Sequence, residues 1–100
     1  MSAKAIEYGV KVSNYKNEEA IKLVMLSEYD SMLDNNESGV LYFDYVRGEM
    51  SYYRELEDFA LEIKQAIWEA NNAYCDISVT VGEVPEIEFK NFESSPEEYS

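Results

Sequence analysis

Hydrophobic positions along the chain change their spacing several times, and each change marks a predicted element. Residues 3–13 alternate between apolar residues and polar or small ones, which predicts a half-buried strand. Residues 76–81 predict another strand, followed by a turn at residues 82–85. Residues 86–92, EIEFKNF, predict a strand that pairs back as a hairpin. The residues predicted to face inward are Ile6, Tyr8, Val10 and Val12 in the first strand and Ile87 and Phe89 in the last, with Glu86, Glu88 and Lys90 outward.

Residues 39–47 contain the run VLYFDYV, which is β-branched and aromatic. Both sides of this run are largely apolar, and that pattern is typical of a strand covered on both faces. We therefore predict a central strand of the sheet. Its two sides carry Leu41, Phe43 and Tyr45, and Val40, Tyr42, Asp44 and Val46.

The longest periodic segment is residues 51–74, where apolar residues recur at steps of three and four over about five turns. This spacing predicts an amphipathic helix. Ser51 is of a residue type preferred at the N-cap, so we expect the helix to begin there. The apolar stripe consists of Leu56, Phe59, Ala60, Ile63, Ala66, Ile67, Ala70 and Tyr74.

Residues 20–33 allow two interpretations. Ile21, Met25 and Tyr29 fit one helical face, whereas Ile21, Leu23 and Met25 would also suit one side of a strand. We predict a helix that is capped at Asn17 and ends before residues 34–39, DNNESG, a cluster of turn-forming residues.

The predicted order is strand, helix, strand, helix, strand, strand. One mostly antiparallel sheet with both helices on one face buries every apolar stripe, so we expect a small two-layer α+β domain. Residues 1–92 form this domain, and residues 93–100, ESSPEEYS, are predicted to be a polar acidic tail that cannot bury itself.

Charge is the unusual bulk property of the 100 residues. Twenty-one acidic residues against eight basic ones leave a net charge of −13, whereas a small domain typically carries a magnitude of about 2–8. Because phosphate contacts depend on Lys and Arg, we expect no direct binding to nucleic acid or to an anionic membrane. The charge favours a basic protein partner, with solubility alone as the competing explanation.

The sequence lacks the residues that several kinds of catalytic and metal sites require. The chain has no histidine, which excludes Ser-His-Asp and Cys-His catalysis and most zinc sites. Its single cysteine, Cys75, has no partner for an internal disulfide, and we expect a buried thiol. Residues 34–45 resemble the opening of an EF-hand calcium loop, but Tyr45 occupies the position of the bidentate glutamate. We expect no catalytic activity, no cofactor and no metal.

The predicted helix 51–74 carries a row of carboxylates opposite its apolar stripe. Steps of three and four residues place them on successive turns, and Lys64 is the one base predicted to interrupt this half of the helix. Tyr52 and Tyr53 offer large rigid contact areas of the kind found at binding hot spots. The candidate partner-binding residues are Tyr52, Tyr53, Glu55, Asp58, Glu62, Glu69, Glu86 and Glu88.

In composition the chain resembles small acidic inhibitors of phages and mobile elements, namely DNA-mimicking anti-restriction proteins and anti-CRISPR proteins. It also resembles acidic immunity proteins that carry a paired tyrosine beside acids, as Tyr52 and Tyr53 stand beside Glu55 and Asp58. The resemblance implies a non-enzymatic inhibitor that binds the basic nucleic-acid-binding surface of a bacterial defence enzyme.

Two alternatives stay open. One is an immunity protein or antitoxin that neutralises a cationic nuclease. The other, of a different class, is a structural or regulatory phage subunit whose tyrosine-rich face mediates oligomerisation, a homodimer included. The chain shows no secretory signal and no apolar run near the ~20 residues of a membrane span, so we expect a cytoplasmic protein in each case.

Overall fold

The protein is described by a computed structural model over residues 3–29, 33–37, 39–51, 54–84 and 88–99. It is a small α+β domain, as predicted. The elements in chain order are β1 (Ala3–Ser13), α1 (Glu18–Glu28), β2 (Leu33–Glu37), β3 (Val40–Ser51), α2 (Leu56–Asn71), β4 (Asp76–Glu83), β5 (Lys90–Glu93) and α3 (Pro96–Tyr99).

The five strands form one antiparallel sheet in the order β2-β3-β1-β4-β5. The order and pairing of the first four strands, with α1 and α2 between them, are those of the split β-α-β, ferredoxin-like arrangement. The apolar side of β1 is buried, as its alternation predicts, and α1 and α2 cover the same face of the sheet. The core shared by these elements includes Ile6, Val10, Val12, Ile21, Met25, Ile63, Ile67, Ile77, Val79 and Val81.

A β-bulge changes the phase of β3. Tyr8 pairs with Val46 but Val10 pairs with Phe43, so β3 contains one extra residue at this point. Phe43 is buried before the bulge, and Met50, at an even-numbered position, is buried after it. The strict alternation predicted over residues 39–47 therefore does not continue, and β3 runs to Ser51 instead of ending at residue 47. The strand β3 is internal to the sheet, as predicted, although the strand at the centre of the sheet is β1.

The extension of β3 shifts the start of the long helix. Ser51 pairs with Ala3 in the sheet and does not cap the helix, contrary to the prediction. The N-cap is Glu55, which has an extended backbone with φ −87° and ψ 150°. The helix ends at Asn72, where the backbone turns left-handed with φ 59°.

The segment that allowed two interpretations is helical where the two interpretations differed, at Ile21, Leu23 and Met25. Residues 18–28 form α1, which confirms the predicted helix, and Ile21 and Met25 are its buried residues. The predicted turn at residues 34–39 is largely wrong, because β2 continues through Glu37. Gly39 adopts φ +79° in the connection to β3, a conformation that favours glycine. The calcium-loop resemblance of residues 34–45 thus falls on two paired strands.

The C-terminal hairpin differs from its predicted phase. Gly82 lies within β4, and a side chain there would meet the passing backbone, since an added Cβ would lie 3.1 Å from the Glu88 carbonyl oxygen. Phe89, predicted to face inward, is 40% exposed, and Phe92 packs on the core instead. Ile87 lies outside the described residues.

No helix within the described ranges is long and apolar enough to cross a membrane.

Candidate protein-binding surface

The outer face of α2 presents a row of exposed side chains. Helical steps of three and four place them on successive turns, about 5–6 Å apart along the axis. With the other described residues, the side chains of Glu55, Asp58 and Glu69 form no hydrogen bond or ion pair. The row consists of Glu55, Asp58, Glu62, Gln65 and Glu69, all of them exposed.

Glu62 differs from the rest of the row because its carboxylate is already engaged. One oxygen pairs with the Arg54 guanidinium, and the other accepts a hydrogen bond of 2.9 Å from the Tyr29 hydroxyl. Burial, followed by this contact with Glu62, raises the pKa of Tyr29 far above its ordinary value. Arg54 also lies over the Phe59 ring, 5.6 Å from its centroid. Glu62 therefore joins the start of α2 to the end of α1, and we assign it a structural part in the row.

Lys64 does not interrupt the acidic row, contrary to the sequence prediction. Its side chain is only 3% exposed and lies on the inner face of α2. The Lys64 ammonium donates to both oxygens of Glu98 at 2.9 and 2.8 Å. This pair neutralises the charge of Lys64 within the chain, so the charged side chains that α2 itself places on its outer face are acidic.

Basic residues elsewhere do little to offset the acidic row. Within the described chain, Lys22 pairs with Glu18 at 2.9 Å and also with Glu19. Arg54 and Lys64 are paired as well, so three of the described cations are occupied internally. Lys11 lies on the open face of the sheet over the Tyr42 ring, which is the side opposite α2. The helix layer therefore offers carboxylates with few counter-charges.

A groove at the N-terminal end of α2 extends the acidic surface. It has a volume of about 410 Å³ and lies between the first turn of the helix and strands β4 and β5. Lys90 is the base in its lining, and Glu88 lies in an adjoining depression with it. The acidic residues of the groove are Glu55, Glu57 and Glu83.

The predicted site residues are thus partly assembled. Asp58, Glu62 and Glu69 share the outer face of α2. Glu55, the N-cap residue, lines the groove at the start of the helix, and Glu88 lies near that groove. Tyr52, Tyr53 and Glu86 lie outside the described residues.

Sequence reasoning missed the C-terminal contribution to this region. The predicted polar tail docks on α2: Glu98 pairs with Lys64, and the Tyr99 ring meets the edge of Trp68 with centroids 5.5 Å apart. A sequence signal existed, because Ser95, Pro96 and Glu98 match the start of a capping box, with proline at the first helical position. The Glu98 carboxylate indeed accepts from the Ser95 backbone amide at 3.1 Å.

The chain's one cysteine is a buried, protonated thiol. Cys75 is 1% exposed, and burial raises the pKa of its thiol from 9.0 to about 11, which keeps it protonated at neutral pH. Across the described ranges, no group of three or more acidic or cysteine side chains is arranged to hold a metal ion.

Comparison with known proteins adds no relative. No family model matches the chain, and neither a curated protein nor a solved structure shows significant similarity to it.

Proposed function

We propose that the protein is a non-enzymatic acidic inhibitor that binds the basic nucleic-acid-binding surface of a bacterial defence enzyme. The observation that carries this proposal is the outer face of α2, where exposed carboxylates stand in a row and Lys64, the lysine of this helix, is buried and neutralised. Such a row is suited to a groove that evolved to hold phosphates, because both present regularly spaced negative charge.

The two kinds of carboxylate in the row have different parts in this proposal. Asp58 and Glu69 are unpaired with other described residues and are available to a partner's arginines and lysines. Glu62 holds Arg54 and Tyr29, so it shapes the surface and contributes less to binding. The net charge of −13 speeds the encounter by steering, and apolar anchors supply the rest of the affinity. Tyr52 and Tyr53 stay our candidates for those anchors.

The proposal is tested with the purified protein against three enzymes of defined class: an RNA-guided nuclease, a restriction endonuclease and a toxin nuclease. Binding is measured at about 50 and 200 mM salt, with and without the substrate DNA of each enzyme. We expect salt-sensitive binding to one of the first two that DNA displaces. Preference for the toxin nuclease would instead favour an immunity protein, and binding to none would contradict the proposed target class.

A matched pair of variants separates the row from the net charge. Asp58→Lys with Glu69→Lys and Glu7→Lys with Glu49→Lys change the net charge equally, but the second pair lies on β1 and β3, away from α2. We expect the first pair to weaken binding at least about tenfold and the second only slightly, since close charge pairs matter more than distant ones. Equal weakening would mean that net charge alone is responsible.

A further inference from the structure

Residues 94–99 cover a site on α2 that the proposed function does not use. This segment, here termed the strap, follows β5 and includes α3. Ser94 anchors its start: the Ser94 amide donates to the Ile77 carbonyl at 2.8 Å, and the Ser94 hydroxyl accepts from the Ile77 amide at 2.8 Å. Beyond this point the strap leaves the sheet, and its residues Glu98 and Tyr99 contact side chains of α2.

The first contact is between a carboxylate and a buried cation. Lys64 is 3% exposed, yet its ammonium donates to both oxygens of Glu98. The same ammonium lies 3.5 Å from the Glu93 carbonyl oxygen. A buried ammonium requires a negatively charged partner, so this position selects a carboxylate over a neutral side chain.

The second contact is aromatic. Trp68 and Tyr74 lie side by side with ring centroids 5.7 Å apart, and Tyr99 meets each of them edge-on. A hydrogen bond holds the Trp68 indole in place, since its Nε1 donates to the Cys75 carbonyl at 2.9 Å. A cleft of about 280 Å³ between the strap and the last turns of α2, lined by Gln65, Trp68 and Asn72 among others, leaves room beside the Tyr99 ring.

The strap itself is lightly held. None of the residues of α3 is buried, and Tyr99 is 45% exposed. Detachment after Ser95 would hydrate Glu98 and Lys64 together and would uncover Trp68. It would withdraw none of the strap's own side chains from the core, because Phe92 precedes the strap. The receiving surface belongs to α2 and to Tyr74, which the rest of the fold positions.

We infer that Lys64, Trp68 and Tyr74 form a binding site for a peptide segment with a carboxylate followed by an aromatic residue, and that the chain's own Glu98 and Tyr99 occupy it as a displaceable strap. A partner segment of the same chemistry would compete with the strap for this site. The inference does not rest on the proposed function, because Lys64 and Trp68 are buried on the inner face of α2. The cleft beside Tyr99 nevertheless borders Gln65 and Glu69 of the acidic row.

Trp68 is the single tryptophan of the chain and reports directly on the site. In the full chain carrying Glu98→Lys and Tyr99→Ala, we expect the acrylamide quenching constant of Trp68 to rise about threefold, because the indole loses its cover. Protection of the amides in β1 and β4 should fall by at most about thirtyfold and should persist where the strap amides have lost theirs. Adding a synthetic peptide of residues 94–100, SSPEEYS, should then restore the protection of Trp68 in a saturable manner.

Specificity is tested with the same peptide carrying E98Q and Y99A, which should not restore the protection. A second full-chain variant adds Lys64→Met to the strap substitutions. With it we expect the native peptide and a peptide carrying only E98Q to act equally, because no cation remains to select the carboxylate.

Three results would overturn the inference. The first is unchanged quenching in the strap variant. The second is loss of amide protection in β1 and β4 together with the strap, which would make the strap part of the cooperative fold. The third is a native peptide that does no better than the peptide carrying E98Q and Y99A.

Discussion

The two faces of α2 treat polar groups in opposite ways. On the inner face, Lys64, Trp68 and Asn71 each have a hydrogen-bond or ion-pair partner within the molecule. Lys64 pairs with Glu98, and Trp68 donates to the Cys75 carbonyl. The Asn71 side chain bonds to the backbone of Lys16 and of Ala73. On the outer face, Asp58 and Glu69 are exposed and unpaired with other described residues. The polar groups of the inner face are satisfied within the fold, whereas Asp58 and Glu69 on the outer face are exposed to solvent.

This difference shows why a charge count along the helix is a poor guide to its surface. Lys64 is one residue from Gln65 in sequence, yet the two side chains are on different faces and only Gln65 is exposed. Glu62, in contrast, belongs to the exposed row but resembles the inner face in its hydrogen bonding. Four predictions probe the contrast, from the largest expected effect to the smallest.

Replacing Asn71 with Ala should be the most damaging change. Asn71 is fully buried. Its side-chain oxygen Oδ1 accepts hydrogen bonds from the backbone amides of Lys16 and Asn17, and its side-chain nitrogen Nδ2 donates to the Ala73 carbonyl. Leaving these backbone groups unpaired should lower the free energy of unfolding by about 3–5 kcal/mol. Urea unfolding monitored by circular dichroism measures the loss.

The neighbouring Asn72 is the control for that experiment. It is exposed and has a left-handed backbone that glycine also adopts, so Asn72→Gly should change the free energy of unfolding by at most about 0.5 kcal/mol. Similar losses for the two variants would contradict the importance of the buried hydrogen bonds.

Alkaline pH should lower the free energy of unfolding through the buried thiol of Cys75. The thiol of Cys75 has a pKa raised by burial from 9.0 to about 11, so its protonated form is favoured in the folded state. The resulting stability is present below pH 9 and is lost as the pH rises to about 11, at an expected cost of about 2–3 kcal/mol.

Urea unfolding at a series of pH values tests this dependence. Cys75→Ala removes the thiol and should flatten the pH dependence over that range, whatever its effect on stability at neutral pH. A slope that the substitution leaves unchanged would assign the loss to other groups, with Tyr29 as the first candidate, since its pKa is also raised.

The Lys64–Glu98 pair should respond differently to changes in its two partners. Glu98→Ala leaves a cation without its carboxylate and should lower the free energy of unfolding by about 1–2 kcal/mol, limited by hydration of Lys64 once the strap moves away. Lys64→Met keeps the packing of the side chain, and Glu98 is hydrated, so its effect should be near zero. Thermal unfolding of both variants and of the double variant gives the coupling, and equal losses in the two single variants would contradict this asymmetry.

The smallest effect concerns the exposed row itself. Glu62→Gln weakens the contacts with Arg54 and Tyr29 and should cost about 1 kcal/mol. The matched change Glu69→Gln removes a carboxylate without a described partner and should be neutral or slightly stabilising, because it reduces self-repulsion. Thermal unfolding distinguishes the two, and a larger loss for Glu69→Gln would remove the distinction between a structural and an available carboxylate.

Much of the fold could be predicted because the local spacing of apolar residues indicates which side of each strand or helix is buried. The alternation of β1 and the three- and four-residue spacing of α2 each identified residues that the structure buries, Ile6 and Ile63 among them. The errors arose where pairing between distant strands decides the outcome. The bulge in β3 results from its register with β1, and the strand β2 forms from turn-forming residues because β3 offers it a partner.

The candidate surface was predictable in part for the same reason. Helical spacing alone placed Glu55, Asp58 and Glu69 on one exposed face. The engagement of Glu62 depends on Tyr29, thirty-three residues away, and the docking of Glu98 on Lys64 spans thirty-four residues. No spacing rule along the chain reaches such contacts.

The sequence by itself determined the acidity of the protein, its α+β class and the amphipathic character of α2, because composition and periodicity are local properties. Only the tertiary structure decided which charges are available. It buried Lys64 against the C-terminal strap and tied Glu62 to Tyr29, since both contacts depend on which distant elements pack together. The acidic face is therefore more one-sided in space than the order of residues indicates.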